Sequence, residues 1–337
     1  MNLLNKFNIK LLNGISYIKL NYIKLKLKNK LIIGNNPQLK NTSRINVWGK
    51  EGKICIADDF SIGYNSELYA WDSEINIGTR TSINDNCKIY ESVTIGSNCL
   101  LASNIFISSG THNFSFNPYL PIKAQDKLSS INRPIVIEDD CWIGFGVVVM
   151  PGVYIGKGAI VGSNAVVTKD IFPYTINGGI PSREMGKRLD FNISFEKINS
   201  NCTEHWPFFY KGCNYGQFDN LIALNEGIEI VDTTAVFLLS KKDTNKLKIT
   251  GFCDKEADLK VSVNKNKNIQ KQTNKGLFEL KLNLLNQDFN YPKIFDNISK
   301  DLKDKFNIVV IETYPNTGNL SSENYKWKIT SIGYYED

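Results

Sequence analysis

IGTRTSINDNCKIYESVTIGSNCLLASNIFI, residues 77–107, places an aliphatic side chain at every sixth position, and IEDDCWIGFGVVVMPGVYIGKGAIVGSNAVV, residues 137–167, does the same. The residues in phase are Ile77, Ile83, Ile89, Ile95, Leu101 and Ile107, then Ile137, Ile143, Val149, Ile155, Val161 and Val167. A fixed short period dictates architecture before any local propensity does. Strands this short, broken by a turn every six residues, form neither helices nor hairpins. Three of them make one triangular coil, and coils stack through main-chain hydrogen bonds at about 4.8 Å. Twelve hexapeptides therefore predict four coils of parallel β-helix, roughly 20 Å tall. Gly78, Gly96, Gly144, Gly156 and Gly162 directly follow their aliphatics, where a tight bend is expected. Cys87, Cys99 and Cys141 fall four places after an aliphatic, in the same phase as Thr81, Val93, Ala159 and Ala165. They read as small inward fillers.

Residues 112–136 leave the period with loop chemistry (Asn113, Asn117, Pro118, Pro121). The aliphatics at 107 and 137 are nonetheless a whole number of repeats apart, so the coil is expected to resume in phase with the loop extruded. A long loop inside a regular body is usually functional or disordered. Upstream, Ile56, Ile62 and Leu68 are in phase before the register slips, so residues 31–76 read as irregular first turns. After Pro173 the period stops. Alternating runs then follow at 234–240, 247–253, 258–264, 277–284, 307–314 and 325–335, the pattern of a small antiparallel β-sandwich. Ile294, Phe295, Ile298, Leu302 and Phe306 have helical spacing. The expected chain is mainly β. A basic N-terminal segment (1–50) precedes a β-helix (51–190) whose loop spans 112–136. An aromatic-rich linker (191–225) and a β-rich C-terminal domain (226–337) follow.

The net charge of +6 is unevenly placed. Residues 1–50 contain ten Lys or Arg and no acidic residue, whereas 51–199 contain 12 basic and 16 acidic. The excess points to an anionic surface such as a membrane face and not to nucleic acid. Residues 1–30, ending in Ile23-Lys24-Leu25-Lys26-Leu27-Lys28, read either as a basic amphipathic segment on lipid or as a helix docked on the body. No apolar run is long enough to span a bilayer, and Lys6, Lys10 and Lys19 interrupt any signal-peptide core. The seven cysteines then read as free thiols. The expected location is the cytoplasm, with peripheral contact at the inner face of a bacterial membrane. Cys202, His205 and Cys213 match no standard zinc spacing, and no metal is expected.

Of two histidines, His112 is the one in the periodic zone. It stands five places after Ile107, a phase that points outward, which weakens its reading as a core side chain. Trp142 stands at the same phase after Ile137, where an indole either packs under the loop or lines a cleft.

The run from Val93 to His112, with Cys141-Trp142-Ile143-Gly144 and Val166-Val167-Thr168-Lys169-Asp170, resembles the hexapeptide-repeat acyltransferases of the galactoside, maltose and streptogramin acetyltransferase group. The resemblance covers about residues 54–188. It implies a left-handed β-helix and a homotrimer with sites between subunits. It also implies acetyl-CoA as co-substrate, with no metal. It further implies that His112 is the general base and that Trp142 lies by the acetyl and pantetheine end of the cofactor. Gly144, Phe145, Ser163, Thr168, Lys169 and Arg183 are the matching cofactor positions, although Phe145 replaces a commoner small residue. Lys169, Arg183, Lys187 and Arg188 would supply charge for its phosphates. Asn84 and Glu91 fall in the region that holds the acceptor. There the match is loose, and a solvent-facing acidic side chain is the plainer account of Glu91. The expected reaction is O-acetylation of a sugar in a surface polysaccharide, capsule or lipooligosaccharide. The alternatives are N-acetylation of a nucleotide-linked amino sugar and a non-catalytic glycan-binding scaffold.

Overall fold

The computed structural model describes residues 20–117, 119–126, 131–189, 195–214, 227–230, 234–264, 267–286, 300–315 and 327–335. The chain forms two compact units, Met1–Asp190 and Phe191–Asp337.

The first unit is a left-handed parallel β-helix with three faces. The first face stacks six strands, Leu31–Ile33, Lys53–Ile56, Glu74–Ile77, Val93–Ile95, Ile135–Ile137 and Tyr154–Ile155. The third also stacks six, Arg44–Trp48, Glu67–Trp71, Lys88–Tyr90, Phe106–Ser108, Val148–Val149 and Val166–Val167. The second runs from Gln38–Leu39 through Ser61–Ile62, Ser82–Ile83, Leu100–Leu101, Trp142–Ile143 and Ile160–Val161 to Thr175–Gly178, which the antiparallel strand Arg183–Lys187 closes. All twelve aliphatics of the repeat are buried, and Cys87, Cys99 and Cys141 fill the same interior. All seven cysteines are free thiols.

Coiling starts at Leu31, inside the stretch expected to be only a basic segment. Leu31 pairs with Ile54 and Ile54 with Ile75, spacings wider than the regular coil. Longer turns lengthen these two coils without breaking the ladder, which is why the six-residue period is faint before Ile77. Before them, residues 20–27 are helical. Ile23 is buried, and Leu20 and Leu27 pack on the β-helix core. In its described part the segment is therefore docked on the body, with Lys24, Leu25 and Lys26 exposed. No described helix is long and apolar enough to cross a membrane.

The loop leaves the ladder undisturbed. Ile95 pairs with Ile137, Leu101 with Ile143 and Ile107 with Val149 across it. Its base is a short antiparallel ribbon, Gly110–Thr111 against Ile131–Asn132, and the first-face strand resumes at Ile135.

The glycines after the aliphatics serve a different purpose from bending. A Cβ on Gly78 would lie 2.5 Å from the Ser97 amide nitrogen, and one on Gly96 2.6 Å from that of Asp139. These positions need close approach of the next coil. The bends lie two residues further on, where Arg80, Asn86, Asn98, Asn104, Asp140 and Asn164 hold positive φ. Asn and Asp tolerate that region best among non-glycine residues.

In the second unit the strands Thr234–Ser240, Lys246–Cys253, Ala257–Val263, Gly276–Asn283, Phe306–Pro315 and Trp327–Tyr334 lie within a residue or two of the expected runs. Three of them enter each of two antiparallel six-stranded sheets. The strand Lys267–Thr273 was not expected, because KNIQKQT carries almost no apolar alternation. Residues 197–211 are not a linker. Lys197–Asn199 pairs with Trp327–Tyr334, Phe209–Lys211 pairs with Thr234–Ser240, and Phe208, Phe209 and Tyr210 are core residues. Much of the expected helix around Ile294 lies outside the described residues, of which Lys300–Lys305 is helical.

Gly96→Ala should destabilise the β-helix by about 1–3 kcal/mol through overpacking, read as a lower urea midpoint. Gly186→Ala, whose Cβ would meet nothing within 4 Å, should leave that midpoint unchanged.

Candidate active site

Three faces meet at three edges, and the order of strands assigns each candidate residue to one of them. His112 leaves the third face after Phe106–Ser108 and before the loop, at the edge where the third face meets the first. Its side chain is exposed. Glu91 occupies the same edge one coil earlier. Its carboxylate Oε2 accepts the Ser73 hydroxyl at 3.1 Å, and a Cβ on Gly110 would lie 3.3 Å from its Cγ. The carboxylate thus lies under the loop's root. Thr168 and Lys169, both exposed, follow Val166–Val167 at this edge nearer the C-terminal end of the β-helix.

The loop's root is closed by hydrogen bonds. The Ser92 amide donates to Ser109 Oγ (2.8 Å), Ser109 Oγ donates to Asn132 Oδ1 (2.6 Å), and Asn132 Nδ2 donates to Ser92 Oγ (2.8 Å). Within the loop, buried Asn113 accepts the Phe116 amide and buried Gln125 accepts that of Asn117. Phe114, Phe116, Tyr119 and Ile122 remain exposed.

A second group stands elsewhere. Trp142 lies on the second face, 52% exposed, stacked between Leu100 and Ile160. Gly144 and Phe145 turn from the second face to the third, with Ser163 one coil above and Asn84 two coils below Gly144 at that edge. Arg183, exposed, begins the strand that closes the second face. In a triangular coil the edge bearing His112 is opposite the second face. One chain therefore separates His112, Glu91, Thr168 and Lys169 from Trp142, Gly144, Phe145, Ser163, Asn84 and Arg183.

Within one chain the expected basic group is divided, with Lys169 at the edge of the third and first faces and Arg183, Lys187 and Arg188 on or next to the strand that closes the second. Arg188 is held at the edge of the first and second faces, 2.9 Å from Asp140 and over the Tyr174 ring. His205 Nδ1 accepts the Asn199 amide at 3.0 Å, and burial lowers that imidazole's pKa. Among the described residues no group of His, Cys, Asp and Glu could hold a metal.

Sequence reasoning missed the aromatic and polar ladder of the third face. Tyr69, Tyr90 and Phe106 make edge-on ring contacts at 5.6 and 5.9 Å. Tyr90 and Lys88 donate to Glu67 Oε2, and Asn46 donates to Glu67 Oε1. Burial and then the Glu67 bond raise the Tyr90 phenol to about 12. Burial also pushes the Glu67 carboxyl up, but these three donors outweigh it and hold the group low. The outward phase of each pair was readable. Which residues meet depended on the irregular early coils.

A three-faced hexapeptide coil with a histidine-bearing extruded loop defines a class, and the comparisons agree with it. The family model "Bacterial transferase hexapeptide (six repeats)" matches residues 134–169, and "Hexapeptide repeat of succinyl-transferase" matches 75–109. The two matches flank the loop. A putative acetyltransferase of Schizosaccharomyces pombe is 38% identical over 40% of this chain and 64% of its own length. A putative lipopolysaccharide biosynthesis O-acetyl transferase of Escherichia coli is 34% identical over 41% of this chain and 73% of its own. The Escherichia coli galactoside O-acetyltransferase is 35% identical over 34% and 55%. The chain belongs to the hexapeptide-repeat acyltransferase family. It spans between about half and three quarters of the length of these relatives, and both family-model matches fall in the first unit.

Ser109→Ala should leave the Ser92 amide and Asn132 Oδ1 without their partner. It should lower β-helix stability by about 1–3 kcal/mol and speed proteolysis in the loop, read by limited digestion.

Proposed function

We propose that the protein is an O-acetyltransferase that moves an acetyl group from acetyl-CoA to a sugar hydroxyl, with the active site made between copies of the chain in a trimer. The observation that carries this reading is the position of His112. It is exposed at the root of an extruded loop, on the edge opposite Trp142, in a chain of this family. Related proteins include O-acetyltransferases of lipopolysaccharide biosynthesis and of galactosides, which supports a sugar acceptor in a surface polysaccharide.

The residues fit the cofactor in kind. Leu100, Trp142 and Ile160 make an outward apolar strip along the second face, suited to a pantetheine arm. Arg183 ends that face as an exposed guanidinium that donates to the neighbouring Ser182 carbonyl at 2.9 Å, which leaves its other N–H groups suited to a phosphate. Lys169 stands at the opposite edge, so a neighbouring copy would bring it. Bound acetyl-CoA supplies an activated thioester.

His112 takes the proton of the acceptor hydroxyl as the oxygen attacks, then delivers it to the departing sulfur. Glu91, one coil earlier on the same edge and under the loop's root, is the carboxylate placed to orient the imidazole. The exposed loop aromatics would cover the site and exclude water. Placing the edge of His112 against the second face of the next copy joins the two groups of residues. A closed three-fold ring repeats that junction three times.

His112→Ala should cut turnover by about 10²–10⁴-fold, read as CoA thiol release with mass detection of the acetylated product, while the urea midpoint holds. Co-assembly of His112→Ala with Trp142→Ala chains should recover activity above either variant alone, because about a quarter of the junctions then pair an intact histidine with an intact tryptophan. Turnover by His112→Ala at the normal rate would refute the base. No recovery on mixing would refute the shared site.

A further inference from the structure

At the N-terminal end of the β-helix a cavity of about 500 Å³ is lined by Lys26, Leu27, Lys28, Asn29, Lys30, Ile45, Asn46, Val47 and Trp48. Three lysines face it and no carboxylate does. None of the three makes an ion pair among the described residues. The undescribed residues 1–19 cannot neutralise them, because the first fifty residues contain neither Asp nor Glu. Lys30 Nζ donates to the Gly49 carbonyl, which tethers one ammonium at the rim. Three lysines concentrated in a concave site, with no ion pair among the described residues, attract an anionic ligand.

The cavity does not end in bulk protein. Trp48 is 55% exposed, and its strand partner in the next coil is Trp71, 56% exposed. Two indoles one strand spacing apart, about 4.8 Å, present a continuous apolar ledge with polar edges. Flat apolar faces of sugar rings stack on such surfaces as other planar groups do. Both tryptophans close strands of the third face and therefore stand at its edge with the first, the edge of Glu91 and His112. Lengthwise the order is cavity and Trp48 in the first coil, Trp71 in the second, Glu91 in the third and the loop root in the fourth. Three coil steps make roughly 15 Å. Glu67, the carboxylate nearest the Asn46 side of the cavity, is already matched by Lys88, Tyr90 and Asn46.

We infer that this edge is a binding track for an acidic oligosaccharide. The carboxylate or phosphate enters the cavity of Lys26, Lys28 and Lys30, and the sugar rings lie over Trp48 and Trp71, which points the chain toward His112. The Asp72 carboxylate packs on Gly49 beside Trp48 and accepts the Glu51 amide at 3.0 Å, and Glu91 follows further along the edge, so the ligand bears its anion on the lysine side of the cavity and neutral rings toward the histidine. The concave, lysine-lined shape suits a discrete group better than a flat bilayer. The role as acceptor track rests on the acetyl-transfer reading, but the binding itself does not.

The test is calorimetric titration of the full-length protein with 3′-sialyllactose (carboxylate), a 6-phosphorylated maltotriose (phosphate) and neutral lactose, alongside co-sedimentation with phosphatidylglycerol vesicles. One or both acidic sugars should bind more tightly than lactose, more weakly as salt rises, and equally well to His112→Ala. The relative affinity of the two identifies the anion. Lys26→Glu/Lys28→Glu and, separately, Trp48→Ala/Trp71→Ala should each raise Kd by at least roughly tenfold, with the urea midpoint of the β-helix unchanged, since all four side chains are exposed. Equal affinity for acidic and neutral sugars, or unaltered binding in both double variants, overturns the track. So does a charge-reversal variant that loses vesicle binding alone, which would make the patch a membrane contact. Tight binding by a protein that releases no CoA with any acceptor would leave the track standing and remove the acetyl-transfer reading. Turnover without acidic-sugar binding would do the reverse.

Discussion

The hydrogen bond from an amide in one coil to the carbonyl of the coil beside it carries the organisation of the first unit. Gly96 N to Ile137 O, Ala102 N to Ile143 O and Phe106 N to Val147 O, at 2.8–3.0 Å, bridge coils whose sequences are separated by the whole loop. Each such bond fixes the vertical register. With the register fixed, every sixth side chain is inside and its neighbours are outside. Burying each aliphatic contributes about 1.5–3 kcal/mol, and a slip of one residue would forfeit all of them together. That cooperativity lets a long loop be inserted between Ser108 and Ile135 without loss of phase. Chemistry can then be hung on the outside of a frame that does not need it.

The same constraint separates the candidate residues. A side chain cannot migrate from one edge to another without breaking the ladder, so His112 and Trp142 stay on opposite sides of one chain. An acyl-transfer site needs a base and a held thioester within bonding reach. On the proposed reading the frame supplies the two halves and withholds their junction, and that reading therefore requires association of copies. The apolar strip of exposed Leu100 and Trp142 with half-buried Ile160 fits that requirement, since such surface is costly unless covered.

Legibility followed periodicity. From Ile77 to Val167 the sequence specifies which residues are inside, where the loop leaves and where it returns, because one period governs all three. It was silent on why Gly78 and Gly96 are glycines, since close approach by the next coil is a property of stacking and not of the local turn. It obscured the first two coils, whose longer turns dilute the period, and with them the pairing of Trp48 with Trp71. In the second unit, alternation gave the apolar strands and missed Lys267–Thr273, whose pairing rests on main-chain bonds. Phe208, Phe209 and Tyr210 read as linker aromatics because three adjacent bulky residues carry no period. Arg183 and Arg188 looked equivalent in sequence, and only the fold shows that Asp140 holds the second.

The early coils also explain how one protein could read both a reacting hydroxyl and a distant charge. A β-helix offers a straight edge whose positions advance by one strand spacing per coil, so features a few coils apart are set at fixed intervals. Lys26, Lys28 and Lys30 lie at one end of such an edge and His112 near its middle. A free monosaccharide is too short to touch both, whereas an oligosaccharide can. On the proposed reading, charge at the far end would select among acceptors without altering proton transfer at His112, because the cavity lies three coils away. Selection and catalysis are separable on this frame, and the irregular turns that blurred the sequence period leave Trp48 and Trp71 outward at its start.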